Sequence, residues 1–309
     1  MSADKPYYSL DTYCKETYGH KCYKIALDAH MTCPNRDGTL GTRGCIFCSV
    51  GGSGDFAVST RGKDIDRQIE EGLALFHTKK VGSHFIAYFQ AYTNTYAPVS
   101  YLRQVYTQAL EHPDICGISI ATRPDCLPEE VLTLLGKLKE TYPDKFIWVE
   151  LGLQTIHEAS AQLIRRGYAL SCFTDSFRKL SALSIPVIVH VILGLPGETQ
   201  EDMYETIRFI NTCHPFGIKL QLLHVLKGTD LADLYLQQGF QTLSKEEYLH
   251  ILIHCLELLH PDIVIHRVTG DGPKEITLAP LWSLNKRDVL NSLHRQMRLE
   301  GAYQGRLAE

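Results

Sequence analysis

The stretch that decides the fold runs from Tyr23 to Cys48 and reads YKIALDAHMTCPNRDGTLGTRGCIFC. It opens with an apolar run, Tyr23 to Leu27, that predicts a β-strand. The run leads into a Gly-rich loop that carries Cys33, Cys45 and Cys48. Three thiolates on one loop can hold a metal centre and leave one coordination position open, which separates a reactive site from a closed structural one. The stretch therefore predicts a strand that delivers three metal ligands to one end of a sheet.

Alternating strand and helix patterns continue through the rest of the chain. The six predicted strands are Tyr23 to Leu27, Phe85 to Gln90, Gly117 to Ala121, Phe146 to Leu151, Val187 to Leu193 and Ile218 to Leu223. The predicted helices are 64–79, 98–111, 128–141, 156–183 with a break near Gly167, 199–213 and 245–259. Strands that each precede a helix form a parallel α/β sheet, and strands apolar on both faces are covered on both sides.

No Gly-x-Gly-x-x-Gly follows the first strand, which counts against a dinucleotide-binding sheet. An incomplete (β/α)6 TIM-like barrel with a short C-terminal extension fits the pattern better. We divide the chain into a lead-in over 1–21, a partial barrel over 22–260 and an extension over 261–309. A strand near 262–268 and a basic helix over 288–300 are predicted in the extension, which we expect to close the barrel and to contact the substrate.

Composition narrows the functional classes. The chain has 309 residues, 44% of them hydrophobic, and a net charge of -4, so no general attraction to nucleic acid or to an anionic membrane is expected. There is no signal-like N-terminus and no apolar run of about 20 residues, which predicts a cytoplasmic protein without membrane contact. Ten cysteines in a reducing compartment indicate free thiols and a metal site.

Polar residues lie at the predicted carboxyl ends of the strands. In a parallel barrel these ends form one rim, where active sites are built. Candidates at these ends are Gln90, Thr93, Thr122, Glu150, Gln154, Leu195 and His224. Lys219 shares a strand face with Gln221 and is expected to point into the barrel. A turn or a helix cap is an equal interpretation for any one of the polar ends, and Thr199, before an acidic helix start, is mainly a cap. Together they predict a site facing the cysteines.

The main alternative for the cysteines is structural zinc. His30, Cys33, Cys45 and Cys48 are spaced as two ligand pairs of a Cys3His site, and a closed tetrahedral site would be inert. A non-enzymatic RNA-binding protein with such a zinc site is the corresponding alternative function. The six-strand pattern and the polar rim favour the reactive centre.

Five motifs carry a family resemblance. They are Cys33-Pro-Asn-Arg-Asp-Gly-Thr, Phe89-Gln-Ala-Tyr-Thr, Ala121-Thr-Arg-Pro-Asp, Glu150-Leu-Gly-Leu-Gln and Gly194-Leu-Pro-Gly-Glu-Thr. With three cysteines after the first barrel strand, they resemble the radical S-adenosylmethionine (radical SAM) superfamily. Within it they resemble the branch of the Elongator catalytic subunit, and there the YhcC/YtqA-type bacterial proteins. Eleven residues separate the first two cysteines, against the three commonest in the superfamily, and the usual Gly-Gly-Glu after strand two is absent.

The resemblance implies cofactors and roles. Cys33, Cys45 and Cys48 would hold a [4Fe-4S] cluster that binds S-adenosyl-L-methionine (SAM) and cleaves it reductively to a 5'-deoxyadenosyl radical, which abstracts hydrogen from the substrate. An electron donor such as flavodoxin or ferredoxin would reduce the cluster. The resemblance implies that Phe47 contacts the adenine of SAM and that residues Gln90 to Thr93 take the place of Gly-Gly-Glu. Glu150 would contact the ribose or the amine, and Arg166, or else its neighbour Arg165, would pair with the carboxylate. The remaining implied contacts are Thr122, Gln154, and, around the nucleoside, His190 and Leu195. A core histidine is an equal interpretation of His190.

The substrate implied by the resemblance is tRNA, at the side chain on C5 of a wobble uridine. Residues 15–63 carry seven Lys and Arg against four Asp and Glu, and residues 281–306 carry five against two, which suits phosphate contacts. Arg36 and Arg43 on the cysteine loop are candidates for an anionic substrate. His224 is proposed for proton transfer, and Lys219 is expected to find an anionic partner in SAM or substrate. Small-molecule and protein substrates stay open.

Overall fold

A parallel sheet that curls into a half-barrel forms the centre of the computed structural model, which describes residues 5–52, 64–77, 84–238, 240–270 and 272–308. Its strands are β1 (Tyr23–Leu27), β2 (Phe85–Phe89), β3 (Ile115–Thr122), β4 (Phe146–Gln154), β5 (Val187–Leu193), β6 (Gly217–Leu222) and β8 (Val264–Arg267). They pair in the order β1-β2-β3-β4-β5-β6-β8, and all neighbours are parallel. The predicted partial barrel is confirmed, and the strand predicted in the extension joins it as the seventh.

Helices cover the outside of the barrel and one of its ends. They are α1 (Leu10–Tyr18), α2 (Ile65–His77), α3 (Val99–Glu111), α4 (Glu129–Thr141), α5 (Glu158–Leu163), α6 (Leu170–Ala182), α7 (Gln200–Cys213), α8 (Asp230–Gln238), α9 (Lys245–Leu258) and α10 (Lys286–Glu300). The predicted break separates α5 from α6, where Gly167 has φ +84°. Thr199 caps α7 as predicted and accepts a hydrogen bond from the Asp202 amide in a capping box.

The barrel interior follows the two-residue period of its strands, so each strand adds one residue to successive layers. Near the N-terminal ends of the strands the layer is apolar and includes Ile86, Trp148 and Ile188. Cys14 and Tyr13 of α1 pack on this layer and close that end of the barrel. Two residues further along each strand the layer becomes polar, with Tyr88, Glu150 and His190. Apolar packing thus fills one end and leaves the other end for chemistry.

Two regions extend the barrel. β7 (Val225–Leu226) and β9 (Thr277–Ala279) form an antiparallel ribbon beside the carboxyl end of β6. Near the C-terminus, the Gln304 amide donates to the carbonyls of His260 and Ile263, and its oxygen accepts from the Tyr8 amide. The two ends of the chain are therefore tied together next to β8. Along the described parts of the chain, none of the helices has the length and apolar character needed to cross a membrane.

Candidate active site

A cavity of about 260 Å³ opens at the carboxyl ends of the barrel strands, and all three loop cysteines line it. The other predicted residues on its wall are Phe47, Gln90, Thr93, Thr122, Glu150, Gln154, Arg166, His190, Lys219 and His224. Leu195 is placed differently: it is buried in an apolar cluster against which Phe47 packs, outside the cavity wall as described. The fold thus gathers residues from the cysteine loop and from strands β2 to β6 around one space.

Backbone hydrogen bonds shape the cysteine loop. The Cys33 carbonyl accepts from the Arg36 amide at 2.8 Å, and the Cys48 amide donates to the Cys45 carbonyl at 3.0 Å. Asn35 ties the loop to the barrel, because its side-chain nitrogen lies 2.8 Å from the Arg165 carbonyl oxygen and 3.4 Å from Cys45 Sγ. A donor beside a ligand sulfur stabilises its thiolate and tunes an iron–sulfur centre. The sequence alone gave no reason to single out Asn35 from its loop neighbours.

The two loop arginines have different partners. Arg36 lines the cavity and donates to the carbonyls of Cys48 and Ser49 at 2.9 and 2.6 Å, so it supports the loop from within. Arg43 forms an ion pair with Asp230 at the start of α8, on the outer side of the loop. Of the two arginines expected at the rim, Arg36 lies on the cavity wall and Arg43 lies in the outer groove, and in this structure each is engaged by the protein itself.

Arg166 and Gln154 line the cavity, and each has one buried polar atom without a hydrogen-bond partner among the described residues. Arg166 Nη1 donates to the carbonyls of Leu153 and Thr155 and Nε to that of Tyr168, whereas Nη2 has no hydrogen bond and lies 3.7 Å from a Glu158 carboxylate oxygen. Gln154 has φ +68°, and its Oε1 is unpaired. Such groups cost free energy unless a ligand pairs them.

Of the two competing arginines, Arg166 therefore faces the cavity. Arg165 forms an ion pair with Asp230 and lines a separate groove on the outer side of the loop. The difference arises because the chain turns at Arg165, where φ is +55°, so consecutive side chains point to opposite sides.

Glu150 lies at the centre of a buried polar cluster in the second layer of the barrel. Its carboxylate accepts from Lys24 at 2.8 Å and Ser119 at 2.6 Å, and it lies 2.7 Å from His190 Nε2. Lys219, which also donates to Tyr88, completes the set with an ion pair. Burial alone would raise the pKa of Glu150, but Lys219, Lys24 and His190 outweigh it and hold the pKa well below its usual range. The anionic partner expected for Lys219 is thus a residue of the protein.

The two predicted histidines have different surroundings. Burial and the Lys219 charge lower the pKa of His190 to about 4, so its imidazole is neutral at physiological pH. Its Nδ1 lies 3.4 Å from the Gln221 amide nitrogen. Both ring nitrogens of His224 have protein partners, the Leu222 carbonyl at 3.0 Å and the Ser283 hydroxyl at 2.9 Å. Because both ring nitrogens are engaged, His224 would have to break a hydrogen bond before it could carry a proton to or from a substrate.

Arg123 and Tyr168 are part of the site although neither was among the predicted site residues. Arg123 forms a two-pronged ion pair with Asp125 and lies over the Tyr168 ring at 4.9 Å, with Arg166 at 5.0 Å from the same ring. The Tyr168 hydroxyl donates to the Gly152 carbonyl at 2.6 Å. Arg123 directly follows a strand, so the strand-end rule was the signal that could have found it, whereas Tyr168 follows a turn that has no such signature.

The structure also bears on the zinc alternative. His30, the fourth ligand of that hypothesis, is exposed, has φ +54° and lies with its ring nitrogen 4.0 Å from Asp28. It is not on the wall of the cavity that the cysteines share. A closed Cys3His tetrahedron is therefore not the arrangement that this loop adopts, whereas three cysteines beside an open cavity leave room for a ligand.

Comparison with known proteins agrees with this geometry. Residues 38–210 match the radical SAM superfamily, and residues 215–298 match the radical SAM C-terminal domain. The chain belongs to the radical SAM superfamily. It is 43% identical to "Uncharacterized protein YtqA" of Bacillus subtilis over 99% of this chain and 94% of YtqA, and 34% identical to "Protein YhcC" of Escherichia coli over 92% and 90%. This radical SAM chain is thus of the YhcC/YtqA type.

More distant similarities connect the chain to Elongator proteins. It is 26% identical to human "Elongator complex protein 3" over 63% of this chain and 34% of that protein. The fold resembles that of the archaeal Elp3 of Methanocaldococcus infernus, with a TM-score of 0.68 at 15% identity, covering 92% of this chain and 64% of that structure. The predicted superfamily, subgroup and barrel are confirmed.

Proteins of this superfamily bind a [4Fe-4S] cluster and SAM, which confirms the predicted cofactors. The residues present fit both groups. Three cysteines line one cavity, and the Asn35 side-chain nitrogen lies beside Cys45 Sγ. Arg166 and Gln154 line the same cavity, and the Nη2 of the first and the Oε1 of the second have no hydrogen-bond partner among the described residues. A planar guanidinium suits a carboxylate, and an amide oxygen suits an amino or hydroxyl group.

Proposed function

We propose that this radical SAM enzyme modifies tRNA, at the side chain on C5 of a wobble uridine. The observation that carries the proposal is the similarity to Elongator complex protein 3, in sequence to the human protein and in fold to the archaeal Elp3. Bound cluster and SAM supply radical hydrogen abstraction, and an electron donor such as flavodoxin or ferredoxin supplies the electron. The protein must then bind the nucleoside next to SAM and exclude water.

We assign the roles in this proposal to residues that line the cavity. Cys33, Cys45 and Cys48 hold the cluster, and Arg166 pairs with the SAM carboxylate. Phe47 lies against the adenine, and the remaining cofactor contacts are Gln90, Thr93, Thr122, Gln154 and His190. Because Glu150 is already paired with four protein groups, we assign it to positioning Lys219 and His190 rather than to direct SAM contact.

Exposed cations support an RNA partner. Arg287, Arg295 and Arg298 are exposed on α10. Arg43 and Arg165, which share Asp230 as their ion-pair partner, line a groove on the outer side of the cysteine loop. Phosphate contacts of this kind orient RNA and carry no base specificity, which the cavity would supply. Of the basic segment predicted at 15–63, residues 53–63 lie outside the described part of the chain.

Nucleoside profiling tests the substrate. The gene is deleted in the source organism, and tRNA nucleosides are measured by mass spectrometry after complementation with the wild type or with single variants. We expect a wobble-uridine precursor to accumulate in the deletion and in Cys33→Ala. The Cys213→Ala variant, altered on α7 away from the cavity, should restore the wild-type profile. An unchanged profile in the deletion would refute the tRNA substrate and favour a small-molecule or protein substrate.

A further inference from the structure

A cluster of potential metal ligands lies at the end of the barrel opposite the cavity. His214 comes between α7 and β6, and His260 and Asp262 come between α9 and β8. Because β6 and β8 are parallel neighbours, the turns before them lie side by side. One ring nitrogen of each histidine and a carboxylate oxygen of Asp262 lie within 4.8 Å of one another. The cavity wall, as the described residues form it, does not include these three side chains.

The two histidines face the two oxygens of one carboxylate. His214 Nε2 lies 2.9 Å from Asp262 Oδ2, and His260 Nδ1 lies 2.5 Å from Asp262 Oδ1. The centroids of the two imidazole rings are 4.8 Å apart, and the rings are inclined at 68°. Nitrogen and oxygen ligands of a tetrahedral Zn²⁺ ion lie about 2.0–2.1 Å from the metal and so about 3.3 Å from one another. The observed separations lie on both sides of this value, so small side-chain rotations suffice to bring three ligands to one ion.

The backbone that carries this cluster is held in place by hydrogen bonds. The Asn211 side chain donates to the Leu258 carbonyl at 2.7 Å and accepts from the His260 amide at 3.0 Å, which ties the end of α7 to the turn after α9. The His260 carbonyl accepts from Gln304 Nε2 at 2.8 Å. His214 is the C-cap of α7, and its amide donates back into that helix. A proline follows each histidine and restricts its backbone. Ligands on a fixed backbone lose less conformational freedom when they bind a metal.

Solvent reaches the cluster, because all three side chains are about half exposed. A metal ion can therefore enter, and a water molecule can complete its coordination. The described residues contain a second group of this kind, His157, Asp202 and Glu205. There the imidazole is 3.8 Å from each carboxylate, and the Asp202 carboxylate is engaged in the capping box of α7. The first cluster is thus the better candidate, since its carboxylate is already shared between both imidazoles.

We propose that His214, His260 and Asp262 bind a divalent metal ion of the Zn²⁺ class, with water as the fourth ligand. Two imidazoles and one carboxylate are ligands that suit such an ion. The ion joins the turn before β6 to the turn before β8, and Gln304 ties the C-terminal region to the same place. Because these ligands come together only in the folded chain, the ion stabilises the fold at the closed end of the barrel. Its role is structural and is separate from the cofactors and the substrate of the cavity.

Zinc binding by the full chain tests the proposal. The protein is loaded with its iron–sulfur cluster under anaerobic conditions and dialysed against Zn²⁺ buffered by a competing chelator. Zinc is counted by elemental mass spectrometry, and its ligands are identified by X-ray absorption. We expect one zinc ion per chain with nitrogen and oxygen ligands at about 2.0–2.1 Å, and a melting temperature that rises with zinc concentration. His214→Gln and Asp262→Asn should each weaken zinc binding by about tenfold or more. His250→Gln, which removes an exposed imidazole from α9, should leave it unchanged.

The outcomes separate the alternatives. Zinc that is weakened in His214→Gln and in Asp262→Asn, but retained in His250→Gln, supports the proposal, and circular dichroism confirms that each variant is folded. The proposal is overturned if no zinc binds, which would leave the cluster as a hydrogen-bonded array only. It is also overturned by sulfur ligands at about 2.3 Å, or by zinc that is lost in His157→Gln and not in His214→Gln. The tRNA profile decides the proposed function independently, since neither result requires the other.

Discussion

Replacing Glu150 with Gln tests the buried cluster that organises the barrel interior. The carboxylate is fully enclosed and paired with Lys24, Lys219, Ser119 and His190. Glutamine can still accept from Lys24 and Ser119, but its nitrogen would face Lys219 and His190, and the ammonium would lose its counter-charge. Breaking a buried ion pair in this way costs about 3–5 kcal/mol, so we expect the free energy of unfolding to fall by that amount at pH 7.

Urea denaturation followed by circular dichroism measures the effect. The matched control is Glu140→Gln, exposed at the end of α4, which should change the free energy of unfolding by less than about 0.5 kcal/mol. Adding Lys219→Met to Glu150→Gln removes the unpaired ammonium, so the double variant should cost less than the sum of the two single variants. Equal stability of Glu150→Gln and the control would refute the assignment of Glu150 as the counter-charge of Lys219.

The pH dependence has a definite sign. The folded pKa of Glu150 lies below its unfolded value of about 4.3, so its stabilisation is present above that pH and is lost as the pH falls toward the folded pKa. The difference in the free energy of unfolding between wild type and Glu150→Gln should therefore be largest at neutral pH and should decrease in acid. A difference in the free energy of unfolding that increases below pH 4 would contradict a lowered pKa of Glu150 in the folded protein.

Three further changes probe the cofactor site and the scaffold. Arg166→Gln should weaken SAM binding by about tenfold or more in equilibrium dialysis, whereas Arg165→Gln should not; equal effects would contradict the assignment of Arg166 as the inward arginine. At Gly44, φ is +74° and a Cβ would lie 2.9 Å from Arg36 Nε, so Gly44→Ala should strain the cysteine loop and lower the iron content per chain. Full iron loading of this variant would contradict the prediction. Thr199→Ala should cost about 1 kcal/mol in urea denaturation through loss of the α7 cap, and no change would refute the capping box.

Local patterns predicted most of the scaffold because strand and helix periods are local properties. Thr199 and the break at Gly167 were predicted correctly, since capping and positive φ leave signatures in neighbouring residues. Helix α1 was not predicted, although Ser9 and Gly19 cap it, because Leu10–Tyr18 is weakly apolar and its burial depends on Trp148, far along the chain. Closure of the barrel end by α1 is a tertiary contact, and a short stretch of sequence does not predict such a contact.

The candidate site also has parts that the sequence predicts and parts that it does not. The cysteines and the polar strand ends were predictable, because parallel strands bring their carboxyl ends to one rim. The partners of those side chains were not: Lys219 binds Glu150 of another strand, and His224 binds Ser283 of the C-terminal region. Such pairings depend on strand order and on the path of the C-terminal region, and no spacing in the sequence encodes them.

The role proposed for Cys33, Cys45 and Cys48 is to hold a reducible iron–sulfur cluster at which SAM is cleaved. The most direct measurement is the yield of 5'-deoxyadenosine from the full chain, purified anaerobically, reduced with dithionite and given SAM, with iron and zinc quantified in the same sample. We expect a brown protein that bleaches on reduction and releases 5'-deoxyadenosine, and we expect both properties to be lost in Cys33→Ala, Cys45→Ala and Cys48→Ala. A colourless protein with one tightly held zinc ion and no 5'-deoxyadenosine would contradict it.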